Sequence, residues 1–236
     1  MFFEHQLQPA PLIKRYKRFL TDISMEDGSI KTIHCPNTGS MRHCLDDVRQ
    51  VWYWDSGNPK RKYPETFELV ETNQGHFIGV NTGRANALVK EALEHNRFSE
   101  LAHDSFRSEV KYGSENSRID FLLTSGVQNI WVEVKSVTLH EAEMGSGRGY
   151  FPDAVSSRGT KHLRELSEQV NNGDRAILLF CVQHTGIETV SVAEHIDPTY
   201  AEAFQEALSV GVEVLALAAD ISTSEIKLTR KLDVIT

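Results

Sequence analysis

Ser117-Arg118-Ile119-Asp120-Phe121-Leu122-Leu123 is followed, across a Ser125-Gly126 turn, by Ile130-Trp131-Val132-Glu133-Val134-Lys135-Ser136. Side chains along a strand point to opposite faces in turn. Glu133 and Lys135 therefore share one face, and Val132 and Val134 the other. Asp120 and Leu122 share a face opposite Ile119 and Phe121. Pairing the two stretches as a hairpin brings Asp120 close to Glu133. Two carboxylates so placed suit Mg²⁺ or Mn²⁺, which prefer hard oxygen ligands. Such a cation polarises a phosphate and lowers the pKa of bound water. Lys135, on the same face, can orient that water and offset developing charge. With no cation between them, one of the two carboxyls should have a raised pKa. On a surface hairpin the same residues would simply face water, with Glu133 and Lys135 a weak exposed pair. The apolar setting of Ile130, Trp131, Val132, Val134 and Val137 favours a site, because charge in a central apolar strand needs a partner.

Working outward, Glu109 lies on a preceding strand over residues 108–112 and is a candidate third carboxylate. A glycine-rich stretch, residues 145–159, is expected to be irregular. A helix should follow over residues 160–170, with Leu163, Leu166 and Val170 inward. His162, Glu165 and Gln169 fall together on another face of that helix. His162 is a candidate phosphate contact or proton shuttle, and Glu165 a neighbour to substrate. An apolar strand comes next at residues 176–182. An earlier helix, starting near Arg84 with Ala87, Leu88 and Ala92 as its stripe, completes the order helix, three strands, helix, strand. That order predicts an α/β sheet domain with helices covering it and a right-handed crossover between parallel strands. A further helix at 200–208 and strand at 212–218 extend it.

The first third reads differently. Short strands at residues 19–23, 30–34, 48–54, 66–71 and 76–80 alternate with turns, Asn73-Gln74-Gly75 among them. Five short strands without a long helix fit a small closed barrel, of which the OB-fold is the common nucleic-acid-binding form; the pattern fits an SH3-like barrel equally. The division is placed at residues 1–84 and 85–236. Net charge is −8, yet residues 1–62 carry ten Lys and Arg against seven Asp and Glu. DNA binding needs a basic surface rather than a basic total. Arg15, Arg18, Lys60, Arg61, Lys62 and Arg84 are the candidate phosphate contacts, with Lys14 and Lys17 beside them. Trp52, Trp54 and Tyr63 are candidate stacking rings or core residues. Asn37-Thr38-Gly39-Ser40 and Asn81-Thr82-Gly83-Arg84 are two similar turn-like elements. They either cradle phosphate on backbone amides or use their glycines for positive φ.

Three cysteines, Cys35, Cys44 and Cys181, with no CxxC argue against a disulfide framework. Neither a signal peptide nor a membrane-spanning run is legible, so a cytoplasmic protein without a membrane partner is expected.

The paired strands resemble the PD-(D/E)XK nuclease core. The chain at large resembles the sugar fermentation stimulation protein A family, through His34-Cys35-Pro36-Asn37-Thr38-Gly39-Ser40-Met41, Asn58-Pro59-Lys60-Arg61-Lys62-Tyr63-Pro64 and Gly79-Val80-Asn81-Thr82-Gly83-Arg84-Ala85-Asn86. Phe151-Pro152-Asp153-Ala154-Val155 and Arg158-Gly159-Thr160-Lys161-His162-Leu163 add to the match. The resemblance implies an OB-like N-terminal domain followed by an α/β restriction-endonuclease-like domain with a central mixed sheet. It also implies sequence-non-specific DNA binding and a regulatory role in maltose metabolism. The nuclease core implies metal ligands at Asp120 and Glu133 and a catalytic lysine at Lys135. In one respect the chain departs from that core: Ile119-Asp120 stands where the core has Pro-Asp, and Pro152-Asp153 lies after the Glu133 strand. The two functions that follow are a DNA-binding protein that does not cut, and a Mg²⁺- or Mn²⁺-dependent nuclease acting on DNA or RNA.

Overall fold

The computed structural model describes residues 1–115, 117–144 and 147–236. Seven strands open the chain: β1 (Gln8–Ala10), β2 (Leu12–Tyr16), β3 (Leu20–Ser24), β4 (Ile30–His34), β5 (Val48–Asp55), β6 (Glu65–Thr72) and β7 (Phe77–Gly79). They form one sheet in the order β1-β5-β6-β4-β3-β2, with β7 paired to β6. β2 comes up against β5, so the sheet curls back on itself. Ile23, Ile33, Val51, Phe67 and Val70 fill its interior. Every residue of β6 is buried, because the strand lies between neighbours and has a core on both faces. Its carboxylates are matched by cations, Glu65 by Lys31, Glu68 by Arg84 and Glu71 by Arg49. β1 and β2 are not among the expected strands. β2 holds Lys14 and Arg15, lacks a buried face, and pairs through its backbone at the sheet edge, where charged side chains are common.

The remainder comprises α1 (Arg84–Glu94), β8 (Ser105–Tyr112), β9 (Ser117–Ser125), β10 (Gln128–Val137), β11 (Leu139–His140), β12 (Arg148–Phe151), α2 (Ser157–Asn171), β13 (Arg175–Val182), β14 (Thr189–Val192), α3 (Pro198–Val210), β15 (Glu213–Ile221) and β16 (Ile226–Ile235). The sheet order is β11-β12-β14-β16-β15-β13-β10-β9-β8. β10 is central, antiparallel to β9 and parallel to β13, and α2 is the crossover between those parallel neighbours. The stretch expected to be irregular instead contains β12, which pairs with β14 across a distance in sequence that no local pattern reveals. Gly145, at the head of that stretch, lies outside the described residues.

α1 packs Leu88, Val89 and Leu93 on one face of the sheet, against Phe121, Val132 and Val134. α2 and α3 pack Leu163, Leu166 and Phe204 on the other, against Leu178 and Phe180. Caps fix where these helices start. The Ser156 Oγ accepts the Gly159 N–H, and Asp197 accepts the N–H groups of both Tyr200 and Ser156. The core on the α1 side also takes in Leu7 and Leu69, with Trp52 and Trp54 against it, so it joins the two sheets. Met1 reinforces the joint, its amino group donating to Ile226 O.

Candidate active site

The β9–β10 register runs from Ser125↔Gln128 to Phe121↔Val132. One step further would set Asp120 opposite Glu133. There the ladder ends, and the Val134 N–H donates to the Asp120 carboxylate at 2.7 Å. Asn86 of α1 donates to its other oxygen at 2.7 Å. The carboxylate is thus fixed by backbone and helix together. Burial, then the charge of Glu133, raises the Asp120 pKa above its usual value, as two carboxylates sharing a site require.

Glu133 is 3% exposed and faces α2. Lys135, two residues on and on the same face, donates to Glu133 Oε1 at 2.7 Å. His162 Nδ1 meets the same oxygen. Arg158 Nε lies 3.4 Å from His162 Nε2, and Lys135 Nζ 3.2 Å from His162 Nδ1, so both ring nitrogens are engaged. Burial alone would raise the Glu133 pKa. The His162 hydrogen bond and the Lys135 charge outweigh it and hold the carboxyl below its usual value. Glu133 is therefore ionised in a desolvated site, with Oε2 buried and without a hydrogen-bond partner among the described residues.

The face of α2 carrying His162, Glu165 and Gln169 is buried, not at the surface. Glu165 accepts the Glu115 N–H and Glu168 accepts from Ser114, clamping the β8–β9 turn onto the helix. Sequence reasoning missed Tyr112 and Tyr200. Both hydroxyls are buried near Glu133, and burial followed by that charge raises their pKa. Glu109 does not join the site. Its φ is +56°, which breaks the strand's alternation opposite Asp120, and the side chain is exposed. Among the described residues no three His, Cys, Asp or Glu are placed to hold a metal together. A hard cation needs less: Mg²⁺ commonly takes one or two carboxylates and completes its shell with water and phosphate oxygens. The Asp120–Glu133 pair, with one free buried oxygen and one raised pKa, fits such an ion.

The expected basic surface is sorted by burial. Arg15 Nη2 donates to Arg18 O, Asn37 O and Gly39 O at 2.8, 2.8 and 2.9 Å, so this residue is a strut. Arg61 donates to Pro64 O and Thr66 Oγ1. Arg84 pairs with buried Glu68 at 2.7 Å. These three arginines are tied to the protein, contrary to the expectation of free phosphate contacts. Arg18, Lys60 and Lys62 are exposed. Trp52 and Trp54 donate to Glu71 and Glu68 and pack on the joint core, so neither is a free stacking ring.

Both Asn-Thr-Gly elements form the same turn: Asn37 Oδ1 accepts the Gly39 N–H and Asn81 Oδ1 the Gly83 N–H. Neither glycine has positive φ. The first turn and Thr82 line a cleft of about 160 Å³ with Ser136, Thr138 and Asp153, just past Lys135 along β10. Ser40 ties the turn to Asp153 at 2.7 Å. A second cleft, about 510 Å³, is lined by His43, His76, His140, His184 and His195. Burial, then its histidine neighbours, pushes His184 down to about 3, so that ring is neutral.

A curled β-sheet joined to a mixed α/β sheet with Glu133 and Lys135 on its central strand defines an OB-like domain followed by a restriction-endonuclease-like one. Family models agree: residues 13–80 match the SfsA N-terminal OB domain and residues 83–225 the sugar fermentation stimulation protein RE domain. The chain belongs to the sugar fermentation stimulation protein family. It is 60% identical over 224 residues to the homologue from Shewanella piezotolerans, covering 94% of each chain. It is 51% identical over 236 residues to that from Saccharophagus degradans, covering 100% of each. The solved structure of Pyrococcus furiosus SfsA in complex with Ca²⁺ superposes with a TM-score of 0.84 at 24% identity, covering 100% of this chain and 98% of that one. No helix among the described residues is long and apolar enough to cross a membrane.

Proposed function

We propose that this protein binds DNA without sequence specificity and hydrolyses its phosphodiester bonds, with Mg²⁺ or Mn²⁺ held by Asp120 and Glu133. The observation that carries the reading is the ionised, desolvated Glu133, bonded to Lys135 and His162 and near enough to Asp120 for its charge to raise that carboxyl. Buried charge of this kind is costly to keep and marks functional sites. The Pyrococcus protein was solved in complex with Ca²⁺, which supports an oxygen-ligand site for a divalent cation in a protein of this fold. Once bound, the cation polarises the phosphate and acidifies water. Lys135 supplies an ammonium at the end of β10, where it can hold a phosphate oxygen and offset charge that builds during attack. His162 keeps Glu133 oriented and ionised, and Arg158 holds the far nitrogen of its ring. Arg18, Lys60 and Lys62 supply the long-range attraction for the polyanion that the acidic α/β domain lacks.

The test is cleavage of single- and double-stranded DNA with Mn²⁺, beside Glu133→Gln and Lys135→Met. Both substitutions roughly keep size. Wild-type protein should cut, and each variant should be slower by about 10² or more. If all three cut alike, the activity lies elsewhere. If none cuts while all bind DNA, the scaffold that binds without cutting replaces this reading.

A further inference from the structure

The β2–β3 hairpin ends at the pair Tyr16↔Leu20, leaving Lys17-Arg18-Phe19 as its tip. Lys17 and Arg18 have φ of +49° and +65°. Two successive left-handed residues are cheap for glycine and cost about 1 kcal/mol or more each for residues with a side chain. A turn needed only for reversal would carry Asn-Gly or Gly-Gly. Here the strained positions carry two long cations. Both are exposed, and neither forms an ion pair among the described residues. Phe19 beside them is 44% exposed.

The tip is braced. Arg15 Nη2 donates at once to Arg18 O in the tip and to Asn37 O and Gly39 O in the first Asn-Thr-Gly turn. Phe19 O accepts the Cys35 N–H at 2.8 Å. Carbonyls that share one nitrogen lie within roughly 6 Å of one another. The tip therefore stands beside the turn that lines the cleft with Ser136 and Thr138, immediately past Lys135. An exposed ring on a braced backbone, next to two unpaired cations, has the two features that bind single strands: a face for a base, and charges for the adjoining phosphates.

We propose that Lys17-Arg18-Phe19 is a stacking tip that takes one unpaired nucleobase of a single strand on the Phe19 ring, with Lys17 and Arg18 on the adjoining phosphates. This rests on the proposed nucleic-acid binding and names the form the site takes: a single-stranded segment beside the cleft. A base inside an intact duplex has no free face for the ring.

The test is fluorescence anisotropy of a labelled single-stranded DNA oligonucleotide, its RNA counterpart and a blunt DNA duplex, in EDTA, over a range of salt. Phe19→Ala should weaken both single strands at least about fivefold. Its salt slope should stay as in wild type, because no phosphate contact is lost. Lys17→Ala and Arg18→Ala should each flatten the single-strand slope by about 0.7. Duplex affinity should be unchanged in Phe19→Ala. Phe19→Trp should keep wild-type affinity, and the added indole fluorescence should be quenched by a single strand. Unchanged single-strand binding in Phe19→Ala, equal losses on duplex and single strand, or an unquenched Phe19→Trp overturns the tip. Wild-type protein that binds duplex but no single strand overturns the tip and leaves the proposed function standing. Protein that binds neither removes both.

Discussion

At the junction of β10 and α2, buried Glu133 and His162 and partly buried Lys135 are bonded to one another; at the β2–β3 tip, Lys17 and Arg18 stand in water. The same kinds of charge do different work in the two places. Out of water, each charge must be matched by a fixed neighbour, so the cluster has one geometry, and its hydrogen bonds hold the Glu133 carboxyl below its usual pKa. In water, a cation is screened within about 8 Å at physiological salt and acts through attraction to phosphate. Burial, rather than position in a basic run, decides which role a residue takes. Arg15 and Arg18 are three residues apart, yet one is a strut and the other is free.

The sharpest contrast lies between Arg84 and Lys60, both expected from sequence as phosphate contacts. Arg84 neutralises Glu68, which is 1% exposed. Arg84→Met would strand that carboxylate, and should cost about 3 kcal/mol. The unfolding temperature should then fall by on the order of 10 °C in calorimetry. The salt slope of DNA binding should not move. Lys60→Ala should do the reverse. Its unfolding temperature should stay within about 2 °C of wild type, and its slope on duplex DNA should flatten by about 0.9. A stable Arg84→Met with a flattened slope would break the comparison.

Asp120 departs from strand alternation, with Ile119 and Phe121 in opposite cores and its carboxylate held by Asn86 of α1 and the Val134 N–H. Alternation is a local property, so the shared face of Glu133 and Lys135 was legible, and both meet His162 of α2. The α1 start at Arg84 and the face shared by His162, Glu165 and Gln169 were legible for the same reason. That this face is buried was not. Its partners, Glu133 on β10 and the 113–115 turn, are far away in sequence, and a polar helix face reads as solvated. The fates of Arg15 and Arg61 were hidden likewise, since the backbone carbonyls they bind leave no mark in the sequence, and that of Arg84 because its partner Glu68 lies on β6. Glu109 defeated the parity argument through a single left-handed residue. β12 and β14 were missed because they pair with each other across a distance in the chain; β16 was missed although it forms a local hairpin with β15.

The central claim is that Asp120 and Glu133 together hold a hard divalent cation. Calorimetric titration of MnCl₂ into the full chain measures this without relying on turnover. Wild-type protein should show saturable binding at one site. Asp120→Ala and Glu133→Gln should each abolish it, and Glu109→Gln should leave it intact. Binding that survives in Asp120→Ala and Glu133→Gln, or that disappears in Glu109→Gln, would contradict the account.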